Sequence, residues 1–178
     1  SDPMILGHYP ADGLALYEAS MPAMQGDDLA TINQPLDFFG ANIYSGRYVH
    51  ATPDGGVEKA MDRDQPLTAM GWPITPQALY WAPRFFHERY GLPIVITENG
   101  MANDDHLENG VVDDQPRIDF LQSYLQHYAR AIAEGVPAQG YFLWSVMDNF
   151  EWAEGYSKRF GLIHVDYNSQ QRILKASA

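Results

Sequence analysis

The stretch PIVITENG, Pro93 to Gly100, decides the fold. Ile94 to Thr97 are apolar or β-branched without polar interruption, and they run straight into a carboxylate, Glu98, and then into Asn-Gly, which reads as a turn signal. A short run of this kind fits a strand buried on both faces, as parallel sheets require. An acid at the end of such a strand needs a physical reason, so Glu98 is the first candidate functional residue.

Working outward, two further apolar runs read as strands, LDFFGANIY (Leu36 to Tyr44) and GYFLWSVMD (Gly140 to Asp148). Two helical patterns lie between the three strands. The first is opened by Thr75 and Pro76 and closed by Gly91, with Leu79, Ala82, Phe86 and Tyr90 on one face and Pro83 predicting a kink. The second follows DDQP, where Asp113 or Asp114 caps and Pro116 sits in the first turn. Its predicted core face is Ile118, Leu121, Leu125, Tyr128 and Ile132, and Gly135 and Pro137 end it. ATPDGG predicts a hairpin turn, and NDDHLENG a solvated loop after the second strand. Strand and helix alternating in this way is the pattern of parallel β/α units. The strands start roughly 50 residues apart, so an eight-unit barrel would need about 400 residues, of which this chain holds about three units.

Composition narrows the function. With 178 residues, 46% hydrophobic and 13% aromatic, the chain has enough material for one domain with a sizeable core. Its 23 acidic against 11 basic residues give a net charge of −12, and the Lys and Arg are scattered along the chain, a balance that repels phosphate backbones and anionic membrane surfaces. Neither nucleic acid nor membrane is an expected partner. No apolar run approaches the ~18 residues of a membrane span, and Ser1 to Pro10 lacks a signal-peptide layout. The absence of Cys removes disulfides, thiolate metal sites and thiol nucleophiles, and the expected location is the cytoplasm, with secretion the alternative. His residues never fall into an HExxH arrangement and no GxGxxG follows a strand, so no metal and no nucleotide cofactor is expected.

In parallel β/α proteins the carboxyl ends of the strands face the ligand. Asn42 and Tyr44 follow the first strand, Glu98 and Asn99 the second, and Trp144, Asp148, Asn149, Glu151 and Trp152 the third, so these residues are expected to converge on one mouth. Carboxylates and amides bond sugar hydroxyls, while Trp and Tyr faces cover the C–H surface of a sugar ring. Hydrolysis of a glycosidic bond needs two carboxyl groups, and by residue type alone Glu98 and Glu151 make that pair.

ITENG together with GYFLWSVMDNFEWAEGYSKRFGLIHVDY resembles the family 1 glycoside hydrolases, the retaining β-glucosidases and their relatives. The likeness extends over essentially the whole chain, through DPMILGHYP, DFFGANIYSGRYV, MGWPITPQAL and VDDQPRIDFLQSYLQHYARAIAEGV. It implies an α/β fold, a (β/α)8 barrel of which this chain supplies about the last three units, strands six to eight, with residues 1–178 forming the C-terminal portion of a single catalytic barrel. It also implies roles. Glu98 is the nucleophile that forms the glycosyl-enzyme, and Tyr44 holds it ionised and aimed. Asn42 lies near the same subsite, Trp144 is the stacking platform, and Glu151 accepts hydrogen bonds from the C4 and C6 hydroxyls beside the Trp152 indole. Phe160 lines that pocket and Trp72 reaches towards the aglycone. On the resemblance, then, Glu151 binds substrate and is not the acid.

The family's acid/base is the Glu of an Asn-Glu-Pro motif on an earlier strand, and no such tripeptide occurs in this sequence. The expectation is a fragment completed by a second polypeptide carrying the first five units, acting on a non-phosphorylated β-glucoside or related small saccharide and inactive alone. A carboxylate at position 151 would repel a 6-phosphate. The alternative is a noncatalytic carbohydrate-binding remnant that keeps Trp144, Glu151 and Trp152.

Overall fold

A computed structural model describes residues 1–17, 20–60 and 64–178. In chain order its elements are helices α1 (Asp2–Ile5), α2 (Ala11–Tyr17) and α3 (Asp28–Ile32), strand β1 (Phe39–Asn42), hairpin strands β2 (Val49–Ala51) and β3 (Val57–Lys59), and helix α4 (Ala78–Tyr90). There follow β4 (Ile94–Asn99), α5 (Gln115–Ala133), β5 (Ala138–Leu143), a short 3₁₀ turn at Trp152–Glu154, and a second hairpin, β6 (Ile163–Val165) with β7 (Arg172–Leu174).

The PIVITENG strand is the centre of the sheet. β4 pairs in parallel with β1 on one side and β5 on the other, Ile96 standing opposite Ala41 and Tyr141. Both connections cross over through a helix, α4 and then α5, as parallel pairing demands. The two helices pack side by side over one face of the sheet, where Ala41, Ile43, Ile94, Ile96, Leu79, Tyr80, Phe120 and Tyr124 form the core. Among the described residues β1 and β5 pair with β4 alone, so each leaves an open edge. Phe142 and Val146, on and after β5, are exposed.

α4 ends on Gly91 in the left-handed conformation, as its stop signal predicts. Leu79, Ala82 and Phe86 pack on the core, and Tyr90 stacks on Phe39 with ring centroids 5.2 Å apart. Pro83 does not interrupt the helix: it lies inside α4, buried one turn after Leu79.

α5 corrects the predicted core face. Its buried residues are Arg117, Phe120, Tyr124, Tyr128 and Ala131, while Leu125 and Ile132 are exposed. Of the predicted set Tyr128 is buried and Leu121 packs against the core. The helix is rotated so that three aromatic rings, each with more apolar surface than an aliphatic side chain, cover the sheet. Arg117 accepts burial because carboxylates wait for it there.

Candidate active site

Three successive residues at the end of β4 do three different things. Glu98 is half-buried near the carboxyl end of the strand. The ladder is irregular between Ile96 and Asn99, which breaks the simple alternation of faces, and Asn99 is fully buried. Its Nδ2 donates to the Ile43 carbonyl beyond β1 (2.8 Å) and its Oδ1 accepts from the Tyr141 hydroxyl on β5 (2.7 Å), so one amide ties the central strand to both neighbours. Gly100 then passes under Trp144: a Cβ there would stand 1.9 Å from the Trp144 carbonyl oxygen. Asn-Gly is therefore no turn signal here. It is a clamp and a close approach, and it corrects both the predicted turn and the placement of Asn99 at the mouth.

Tyr44 comes off the end of β1 and donates its hydroxyl to Glu98 Oε2 at 2.7 Å. The Tyr44 carbonyl accepts from the buried Tyr124 hydroxyl of α5 (3.1 Å), which also accepts the Thr75 N–H (2.8 Å), so the helix layer fixes the main chain that carries the phenol. Burial, then the hydrogen bond to Glu98, then the negative charges of Glu98 and Glu151 push the Tyr44 hydroxyl far above the usual phenol range. Tyr44 thus stays a neutral donor at every working pH.

Across the mouth, the segment after β5 carries Trp144 and Glu151, with the indole Nε1 3.4 Å from Glu151 Oε2. Tyr44, Trp72 and Phe160 form one aromatic cluster: Tyr44 and Trp72 meet edge-to-face at 5.2 Å, and Phe160 is 6.1 Å from Tyr44 and 6.2 Å from Trp72. Phe160 is buried and Trp152 is 83% exposed at the rim. Asn42 lies on the same strand face as Tyr44, where its Oδ1 accepts from the Thr97 hydroxyl at 2.6 Å. The structure therefore brings Glu98, Tyr44, Trp72 and Phe160 into one contiguous group, pairs Trp144 with Glu151, and leaves Asn42 bound to its neighbouring strand.

Asp148 is a correction. It does not join the mouth but is buried against Lys175 and Arg159. Asp105, expected in a solvated loop, is buried beside it. Burial would raise the Asp105 carboxyl, but the hydrogen bond and charge of Arg117, with hydrogen bonds from Lys175 and Asn103, outweigh it and hold the group below its usual range. The role of Asn99 was open to inference, since a polar side chain on the buried face of a strand must find partners. Nothing in sequence spacing marks Lys175, which lies 70 residues from Asp105.

The model of glycosyl hydrolase family 1 matches residues 1–178. The chain belongs to that family. It is similar to beta-glucosidase A of Thermotoga maritima, 47% identical over 179 residues, covering 99% of this chain and 40% of the relative. The beta-glucosidase of an Agrobacterium species is 43% identical, again over 99% and 40% of the two chains. Among solved structures, the Thermotoga maritima beta-glucosidase in complex with glucoimidazole superposes with a TM-score of 0.89 at 47% identity, over 99% of this chain and 40% of that one. The chain thus spans about 40% of the length of the curated relatives it matches. Its sheet and helices are about the last three units of a (β/α)8 barrel.

Proposed function

We propose that these residues are the nucleophile-bearing portion of a retaining β-glycosidase of the β-glucosidase type. The observation that carries the reading is the 2.7 Å hydrogen bond from Tyr44 to Glu98 at the carboxyl end of β4, facing the segment of Trp144 and Glu151. Glu98 attacks the anomeric carbon of a terminal, non-phosphorylated β-glucosyl residue as the aglycone oxygen departs with a proton from the acid/base. Water, deprotonated by the same group, then cleaves the glycosyl-enzyme and frees the Glu98 carboxylate. Trp144 stacks on the ring, Glu151 and Trp152 bond its distal hydroxyls, Phe160 and Asn42 line the same subsite, and Trp72 borders the aglycone.

The acid/base is supplied by the first five β/α units of the complete barrel, since no Asn-Glu-Pro occurs in these residues. Residues 1–178 are then one portion of a single catalytic domain, completed by that remaining polypeptide. General acid catalysis contributes about 10²–10⁴-fold, so residues 1–178 without those units sustain no normal turnover.

The test is covalent labelling of the complete barrel with 2,4-dinitrophenyl 2-deoxy-2-fluoro-β-D-glucoside, followed by peptide mapping. Label on Glu98, and its loss together with nearly all turnover in Glu98→Gln, is the expected result. A Glu98→Gln variant within about tenfold of the parent activity refutes the assignment. Sugar binding without any label would leave the noncatalytic remnant standing.

A further inference from the structure

Three acids and three bases meet in one cluster, all of them buried except Arg159, which is partly exposed. The Lys175 ammonium, wholly inaccessible, donates to Asp105 Oδ2 at 2.6 Å and to Asp148 Oδ1 at 2.7 Å. Arg159 donates to Asp148 Oδ2 at 2.5 Å, and the Gly161 N–H to Asp148 Oδ1 at 3.0 Å. Arg117 bonds Asp105 (2.7 Å), Asp114 and the Arg159 carbonyl (2.9 Å), and Asp114 accepts from Ser177. The formal charges of Asp105, Asp114 and Asp148 cancel those of Arg117, Arg159 and Lys175.

Such a cluster is a poor source of stability, because desolvating the ions offsets most of their attraction. What it defines is geometry. Asp148 stands at the start of the segment that carries Glu151, and Arg159 and Gly161 flank Phe160 at its end. The bonds of Asp148 to Arg159 and Gly161 therefore close residues 148–161 into a loop at its base. Gly161 is necessary to that closure, since a Cβ there would lie 2.1 Å from the Asp148 nitrogen. Asp105 belongs to a different loop, the one that follows Glu98 and β4. A lysine suits the junction between them: its compact ammonium has three donors, enough to hold two carboxylates from separate segments at once.

We infer that Lys175 is a positioning residue for sugar recognition: its ammonium joins Asp148, at the base of the Glu151 loop, to Asp105, on the loop behind Glu98, and so sets where Glu151 stands relative to the nucleophile. This rests on the proposed roles of Glu98 and Glu151.

The test uses the complete barrel and two substrates, an aryl β-D-glucoside and the matching β-D-xyloside, which lacks the C6 hydroxymethyl group. Lys175→Met combined with Asp105→Asn removes one cation and one anion and keeps the cluster neutral. Active sites are counted by the fluoroglucoside label, so that lost folding is not read as lost recognition. The expected result is a fall of about 10- to 100-fold in kcat/KM per active site for the glucoside, with a much smaller fall for the xyloside. In a Glu151→Gln background the same change should cost little more. Lys175→Arg, which keeps the charge on a longer planar head, is the second variant if the first fails to fold, and it should move the glucoside-to-xyloside ratio the same way by less. A ratio within about twofold of the parent, while Glu151→Gln shifts it, overturns the inference alone. If Glu151→Gln does not shift the ratio, the role of Glu151 fails, and the inference with it.

Discussion

Tyr44→Phe isolates one hydroxyl. The ring remains, and with it the contacts to Trp72 at 5.2 Å and Phe160 at 6.1 Å, as does the main-chain bond from Tyr124 to the Tyr44 carbonyl. What disappears is the 2.7 Å donor to Glu98 Oε2, a hydrogen bond to an ionised group worth about 1.5–3 kcal/mol. The two chemical steps feel this loss with opposite sign. When Glu98 attacks, its charge is spent, so the lost bond had stabilised the ground state more than the transition state. When the glycosyl-enzyme breaks down, Glu98 departs as a carboxylate, and a donor aimed at the growing charge stabilises the transition state. Deglycosylation should therefore slow by about 10- to 150-fold, at about 1.4 kcal/mol per decade. In the complete barrel, stopped-flow release of dinitrophenolate should show a burst of one equivalent, with kcat and KM falling together and kcat/KM changing less. A variant with kcat within about twofold of the parent and no burst would refute this account of Tyr44.

Further outcomes follow from the same geometry. Glu151→Ser removes the carboxylate that faces Trp144 Nε1, and should lower glucoside kcat/KM by about 10- to 100-fold while raising the rate on a 6-phosphoglucoside relative to the glucoside; unchanged kinetics on both would count against the role of Glu151. Gly100→Ala drives a Cβ into the Trp144 main chain and should destabilise the fold by more than about 3 kcal/mol, whereas Gly26→Ala, with open space around it, should stay within about 0.5 kcal/mol; matched melting temperatures would disprove the close approach. His164 is buried, its Nδ1 has no hydrogen-bond partner among the described residues, and burial followed by the charge of Arg159 holds its imidazole below 6.5 against the opposing pull of Asp148. The unfolded chain then takes up the proton first, so stability is present above pH 6.5 and falls as the pH drops below it. Thermal melts of His164→Gln should show a shallower acid limb below pH 6.5; an unchanged slope would mean that His164 does not titrate on unfolding.

Local pattern was enough for the parallel β/α layout. The apolar runs that became β1, β4 and β5, and the start and stop signals of α4, act over a few residues, and their physics is the same in any fold. Periodicity misjudged α5, because Ile118, Leu125 and Ile132 form as regular a stripe as the aromatic one beside it. The choice between the stripes depends on the sheet underneath, where Phe120 and Tyr124 lie in the core and Tyr124 reaches Tyr44 and Thr75.

The candidate site divides in the same way. A carboxylate at a buried strand end and a cluster of indoles and acids after the next strand are the pattern on which the proposed sugar site rests, because strand ends in parallel sheets share one mouth. What each of those polar residues bonds was settled in three dimensions. Glu98 accepts the Tyr44 hydroxyl, while its neighbour Asn99 spends both ends of its amide on adjacent strands, and Asp148 spends its carboxylate on Lys175, Arg159 and Gly161. Basic residues that are scattered along the chain converge in space because each buried acid must meet a cation, and only folding brings Asp105 and Lys175, 70 positions apart, within 2.6 Å of one another.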